Sequence, residues 1–316
     1  MSPRRAVLAL LAALVLLPSA ASAAHRRAWP RSCNGSPSLC DRPFDRVVLP
    51  ATHNSMSAAS LGWAIPNQQV GIPAQLRDGI RGFLIDTHYA HTGPDGKLVT
   101  DATKTPQSKP YLCHEVCAIG ATPLVDGLRA MARYLRAHPS NVLLIDQEDY
   151  ISTRDFAREV RRAGLLRYVY RGQPGPQWPT LRWMIRHHQQ VVMLSEHVAS
   201  GVPWDHLDYA GIVQETPYTW NTPDLLTDPA NWPASCVPNR GGRVGSLFLM
   251  NHWSPPVAPS PDTSAKVNAT SVIVGRALAC RKARGLMPTI VAVDMYRSGG
   301  LFAAVRRLNA LLAAGR

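Results

Sequence analysis

The chain has 316 residues, of which 46% are hydrophobic and 17% charged, and it carries a formal net charge of +13 at pH 7. Beyond the N-terminus no run approaches the roughly eighteen apolar residues of a membrane-spanning helix, so a soluble mature chain is expected. The positive charge suits anionic surfaces such as phospholipid headgroups, and with no RNA-binding signature or zinc-finger spacing no nucleic-acid partner is expected.

Residues 1–23, MSPRRAVLALLAALVLLPSAASA, set two arginines before an apolar run, a proline and the small residues Ala21-Ser22-Ala23. This is the pattern of a secretory signal peptide, with cleavage expected after Ala23 and the protein expected outside the cell. Residues 24–316 contain no linker-like stretch and are expected to form a single, monomeric domain. Residues 45–49 (DRVVL) read as a first strand and 82–86 (GFLID) as a second. Further strands are expected at 111–113, 142–145, 191–194, 246–250 and 290–293, short apolar runs that suit a parallel sheet buried on both faces. Between them, Leu124, Leu128, Met131 and Leu135 recur at helical spacing, with Arg129, Arg133 and Arg136 opposite and Pro139 closing the segment. Helices are also expected at 153–170, 181–188, 271–283 and along Leu301, Val305, Leu308 and Leu312. The alternation points to an α/β barrel, with a doubly wound open sheet as the alternative, and the proline-rich stretch 216–238 implies an irregular one.

Six cysteines in an exported chain should be oxidised. Six allow fifteen connectivities, of which 33–40, 113–117 and 236–280 is the economical one. That compartment also argues against a zinc site in Cys113-His114-Glu115-Val116-Cys117.

In a parallel barrel the reacting groups stand at the carboxyl ends of the strands. Here the expected strands end in His53 and Asn54, in Asp86 and His88, in His114 and Glu115, in Asp146, Glu148 and Asp149, in Ser195, Glu196 and His197, in Asn251 and His252, and in Asp294. Asp126 and Asp149 read as helix caps, and His187 and His188 as solvated surface. Two histidines, His53 and His114, arriving with Asp86, Glu148 and Asp294, suit acid/base chemistry. Ser195 does not sit in a G-x-S-x-G turn, so acyl-enzyme chemistry lacks a nucleophile. Glycoside hydrolysis by Asp86 and Glu148 would leave the histidines unexplained.

Thr52-His53-Asn54-Ser55, followed by QLRDGIRGFLID at 75–86, resembles the X region of phosphatidylinositol-specific phospholipase C. With CNGSPSLCDRPF, LCHEVC, the EDY strand end, CVPNR, LFLMNHW and VAVDMY in order, nearly the whole mature chain is similar to secreted PLC-like phosphodiesterases. The resemblance implies a distorted TIM (β/α)8-type barrel and phospholipid cleavage through a cyclic phosphate. In it His53 would be the general base, His114 the general acid, and Asp294 the group that orients His53.

One branch of the family meets the phosphate's charge with an arginine two residues beyond the acidic residue of the second strand. Another uses calcium. This chain has His88 at the arginine position, which is also where a fourth calcium carboxylate is expected. Asn54, Asp86 and Glu148 match the rest of the calcium set, and such oxygen ligands suit a hard cation. His88, Glu196, Arg240, Asn251 and Tyr296 are the expected substrate contacts. Trp63, Trp204, Trp220 and Trp253 are candidates for touching an anionic membrane surface. Two alternatives stay open: another diester, such as a glycerophosphodiester or sphingolipid, and a lipid-binding barrel without turnover.

Overall fold

Short apolar runs need hydrogen-bonded neighbours on both sides, and a curled parallel sheet supplies them. The computed structural model describes residues 30–175, 177–197, 201–255 and 258–314; the expected signal peptide lies outside them. Its strands are β1 (Leu49–Thr52), β2 (Gly82–Thr92), β3 (Leu98–Asp101), β4 (Lys109–Leu112), β5 (Thr122–Pro123), β6 (Leu143–Asp149), β7 (Val191–Ser195), β8 (Asp205–Leu207), β9 (Val213–Glu215), β10 (Leu247–Asn251) and β11 (Ile290–Val293). Parallel pairing runs β8-β7-β6-β2-β1-β11-β10-β9, while β3, β4 and β5 form an antiparallel outgrowth of the long β2. The eight parallel strands thus follow one another around the curl in chain order, as in a (β/α)8 barrel. No ladder joins β8 to β9 among the described residues. Residues 208–212 connect these two strands directly, and a parallel crossover with a helix needs at least about ten, so the barrel is left with a seam.

Alternate residues of the sheet divide between two cores, as the period of two requires. Leu49, Ala51, Leu144, Val192, Leu194, Val213, Leu247, Leu249, Ile290 and Ala292 pack inside the curl, plugged from below by Phe44 and Trp178. Phe83, Ile85, Leu143, Ile145, Met193, Phe248, Met250, Val291 and Val293 face the helices. Gly82 sits where β2 presses on β1: a Cβ there would stand 2.7 Å from that of Ala51.

The helices are α1 (Ile72–Asp78), α2 (Leu124–Ala137), α3 (Thr153–Arg162), α4 (Leu181–Arg186), α5 (Asp224–Thr227), α6 (Pro261–Val267), α7 (Thr270–Arg284) and α8 (Leu301–Ala313). On α2 the expected stripe Leu124, Leu128, Met131 and Leu135 is buried. The helix expected over 153–170 stops at Arg162, because Gly164 (φ +73) turns the chain into a short 3-10 segment, Leu166–Tyr168. Its N-cap is Ser152, whose hydroxyl accepts from the Asp155 amide, so Asp149 is not the cap. Residues 45–49 also differ from expectation: Phe44–Arg46 is a 3-10 turn and the strand begins at Leu49. The expected strand at 111–113 is β4 of the outgrowth, so it is not a barrel strand. All three disulfides of the economical pairing are present, and no described cysteine is free.

Candidate active site

On seven of the eight parallel strands, all but the short β8, the inward face begins apolar and ends polar. Leu49 and Ala51 lead to His53, Leu84 to Asp86, Leu144 to Asp146 and Glu148, Leu194 to Glu196, Val213 to Glu215, Leu249 to Asn251 and Ala292 to Asp294. Apolar side chains fill the barrel floor, and the ionisable ones meet above it around a cavity of about 360 Å³ lined by His53, Asn54, Asp86, His114, Glu148 and Glu196, among others.

His53 is held from several directions. Its Nδ1 is 3.0 Å from Oδ1 of buried Asp294, and Asn67 donates to both oxygens of that carboxylate at 3.3 and 3.2 Å. Pairing through Nδ1 leaves Nε2 as the free nitrogen. The indole of Trp253 stacks on the imidazole, with centroids 3.8 Å apart and planes 3° from parallel. Gln68 ties the carbonyls of His53 and Val293 together, joining the ends of β1 and β11. His114 stands at the rim of the same cavity, in the loop that returns from β4. Desolvation by the cavity walls and the proximity of His53 lower its pKa below the ordinary histidine value, with Glu115 and Glu148 opposing the shift.

The backbone is strained at the same places. Asn54, Glu115 and Met295, which directly follow His53, His114 and Asp294, have φ of 43°, 51° and 44°. Left-handed backbone is unfavourable for residues such as Glu and Met, and it clusters where a fold must aim a side chain.

Carboxylates dominate the remaining wall. Burial first, then Glu148, Glu196 and Glu115, raise the pKa of Asp86 well above the carboxylate range. Glu196 is pushed up to about 8 by burial and by Asp146, against the pull of Arg240. Asn54, Asp86 and Glu148 all line the cavity, and this excess of hard oxygen donors over cations fits a divalent ion of the calcium type. His88 is not part of that wall. It is 8% exposed, stacked on Tyr150 at 4.4 Å, and among the described residues its buried Nε2 has no hydrogen-bond partner.

Arg240 reaches the cavity with its fork already engaged. Nε and Nη2 donate to Glu215 at 2.6 and 3.1 Å, and Nη1 donates to Glu196. The guanidinium therefore links the ends of β7 and β9 across the seam that backbone pairing leaves open. Asn251 lines the cavity and donates to Glu215 at 2.9 Å. Tyr296 is not brought to the cavity: it is 1% exposed, packed edge-on against Phe302, and its hydroxyl donates to Asp78. Trp63, Trp204, Trp220 and Trp253 are all 8% exposed or less, so none is presented to a membrane as expected.

The PI-PLC X family model matches residues 39–309. The chain belongs to the PI-PLC X family. It is 25% identical over 297 residues to a PI-PLC X domain-containing protein of Arabidopsis thaliana, a match that covers 84% of this chain and 62% of the relative. It is 28% identical over 233 residues to an uncharacterized secreted protein of Arthroderma benhamiae, covering 70% and 48%. The chain thus spans about half to three fifths of the length of these relatives. In fold it is similar to the phosphatidylinositol-specific phospholipase C of S. aureus, with a TM-score of 0.51 at 11% identity over 86% of this chain and 94% of that one.

Within this PI-PLC X barrel several residues that position the site were not legible beforehand. Asn67 and Gln68 lie in a loop, and nothing in their sequence context marks them. Trp253 follows β10 as a loop tryptophan, and only the fold shows that it stacks on His53. Glu215 ends a three-residue strand too short to produce a pattern.

Proposed function

We propose that the chain is an exported phosphodiesterase that cleaves phosphatidylinositol, or a related phospholipid with a hydroxyl beside the phosphate, by two-histidine catalysis. The observation that carries this reading is the pairing of His53 with buried Asp294 at 3.0 Å while His114 lines the same cavity. With Nδ1 bound to Asp294, His53 takes the inositol 2-hydroxyl proton through Nε2. The freed oxygen attacks phosphorus and a new P–O bond closes the ring. His114 gives its proton to the diacylglycerol oxygen as that P–O bond breaks. The stacked Trp253 and the bond to Asp294 keep the imidazole from turning between these steps.

Asn54, Asp86 and Glu148 are the residues that would hold calcium, which when bound supplies positive charge to the phosphate side of the cavity. Among the described residues five carboxylates line the cavity, Asp86, Glu115, Asp146, Glu148 and Glu196, against the single guanidinium of Arg240. That balance favours a headgroup with no phosphate beyond the diester itself. Exposed Leu61, Ile65, Val116 and Ile119 lie on the loops after β1 and around His114 and offer an apolar rim to a bilayer. Export is supported by the three disulfides and by the secreted relative.

The test is to incubate the protein with phosphatidylinositol vesicles, with calcium or with EDTA, and follow cyclic inositol phosphate. Release that disappears in His53→Ala and His114→Ala supports the reading. No release under any metal condition, with turnover of a diester that lacks a neighbouring hydroxyl, refutes the substrate assignment. A lipid-binding effect that survives both substitutions refutes catalysis as the function.

A further inference from the structure

Three carboxylates beside the two-histidine centre are short of cations. Asp146 lies on β6, Glu196 follows β7 and Asp208 follows β8, so three neighbouring strands deliver them to one side of the open seam. One ligand oxygen from each lies within 4.8 Å of the others. Asp146 is 2% exposed and Asp208 fully buried. Among the described residues no hydrogen-bond donor reaches either oxygen of Asp146 or Oδ2 of Asp208. Oδ1 of Asp208 accepts from the Tyr209 amide, and the two carboxyl groups also contact each other, a contact that needs a shared proton or a shared cation.

The nearby charges do not supply one. Among the described residues Arg240 is the one guanidinium bound to this group, and it is divided between Glu196 and Glu215. It therefore balances one of four carboxylates. Burial and mutual repulsion push the Asp208 carboxyl up to about 11 and that of Glu196 to about 8.

We propose that Asp146, Glu196 and Asp208 bind a hard divalent cation, calcium, magnesium or manganese, at a second site that adjoins the Asn54, Asp86 and Glu148 set through Glu196, which also has a ligand oxygen within 4.8 Å of those of Glu148 and His197. The donors fit: oxygens about 2.3–2.6 Å from one ion stand no more than about 5 Å apart, and all-oxygen ligation selects these metals. An entry path exists, since Asp146 and Glu196 line the cavity that opens to solvent. The ion would join the ends of β6, β7 and β8, on the side of the seam that β8 borders, while Arg240 spans the seam itself. Its role is to hold the barrel wall, and the proposal stands independently of turnover.

The experiment measures binding and stability on the full chain. Protein stripped with EDTA is titrated calorimetrically with CaCl2, MgCl2 and MnCl2, and its Tm is followed with and without each salt. Glu148→Gln, which impairs the Asn54, Asp86 and Glu148 set, should retain one ion per chain and a Tm raised by the salt. Asp146→Asn/Asp208→Asn should lose that ion and the Tm response. Wild-type crystals soaked in MnCl2 give a reading that needs no variant: an anomalous peak among the three carboxylates supports the site. The proposal is overturned by a soaked crystal without that peak. It is equally overturned if Glu148→Gln binds none of the three metals, or if Asp146→Asn/Asp208→Asn keeps both the ion and the Tm shift; the cluster is then held by protons.

Discussion

Asp294→Asn isolates the charge and orientation that the structure assigns to His53 without changing the size of the side chain. In the native site Oδ1 accepts from His53 and both oxygens accept from Asn67. An asparagine has a single oxygen. Turned toward His53, it sets its own amide hydrogens against those of Asn67, which cannot rotate freely because its Oδ1 already accepts from Asn54 at 3.3 Å. Turned the other way, it donates to Nδ1 and places the imidazole proton on Nε2, where the base must be free. Losing a hydrogen bond to an ionised group costs about 1.5–3 kcal/mol, or about 10- to 150-fold at about 1.4 kcal/mol per decade. A forced wrong tautomer deepens the loss toward about 10⁴-fold. We expect kcat/KM for cyclic inositol phosphate release to fall by about 10²- to 10⁴-fold, with Asn67→Ala in the same background restoring part of it by letting the amide turn. Circular dichroism melting checks that the variant is folded. A folded Asp294→Asn enzyme within about threefold of wild type, alongside inactive His53→Ala and His114→Ala, would refute the reasoning.

Three further outcomes follow from the same geometry. In the proposed mechanism His114 is the acid and must be protonated, and its pKa is depressed by burial and His53, so kcat/KM should decline with rising pH from below the ordinary histidine value of about 6.5. Removing the opposing carboxylate in Glu115→Gly should move that limb lower still, with relief of the left-handed backbone at φ 51° offset by the greater unfolded-chain entropy of glycine, so that stability changes by less than about 1 kcal/mol; an unmoved limb contradicts His114 as the acid. Replacing Arg240 by Met strands fully buried Glu215 without its cation and should cost about 3–5 kcal/mol, seen as a Tm lower by about 5–15 °C; a Tm within about 2 °C of wild type denies the cross-seam link. Removing the Cys236–Cys280 bond, which closes a separation of 44 residues, should cost about 4 kcal/mol, against about 2 for Cys33–Cys40 with its separation of 7; differential scanning calorimetry of the paired serine variants orders the two, and equal losses argue against the loop-entropy account.

Much of the architecture could be read from local pattern because the signals are local. Residues 290–293 were expected as a strand and form β11 with the same bounds, since four β-branched or small apolar residues buried on both faces fit little else. The helical stripes of α2 and α8 were equally plain. β8 and β9 were not, because three residues establish no period, and α1 was hidden by Pro73 near its start. The hairpin outgrowth shows the same limit: 111–113 reads as a strand in the sequence, but which neighbour it pairs with is a long-range matter.

The site divides in the same way. His53, Asp86, Glu148, Glu196, Asn251 and Asp294 continue or follow parallel strands, whose ends a barrel sends to one mouth, whereas His114 reaches the same cavity from the antiparallel outgrowth, which the sequence did not distinguish from a barrel strand. What depended on three dimensions was which of these polar groups meet. The tertiary structure turns Tyr296 into the wall toward Asp78, sets His88 against Tyr150 and spends the fork of Arg240 on Glu215 and Glu196. It also brings Asn67 and Trp253 onto the Asp294–His53 pair from loops with no local signature. By itself the sequence determined most of the strand ends and the polar residues placed on them, because hydrophobic periodicity is written residue by residue. Only the fold decided partners, since hydrogen bonds and ion pairs between residues 53 and 294, or 196 and 240, depend on packing across the whole barrel.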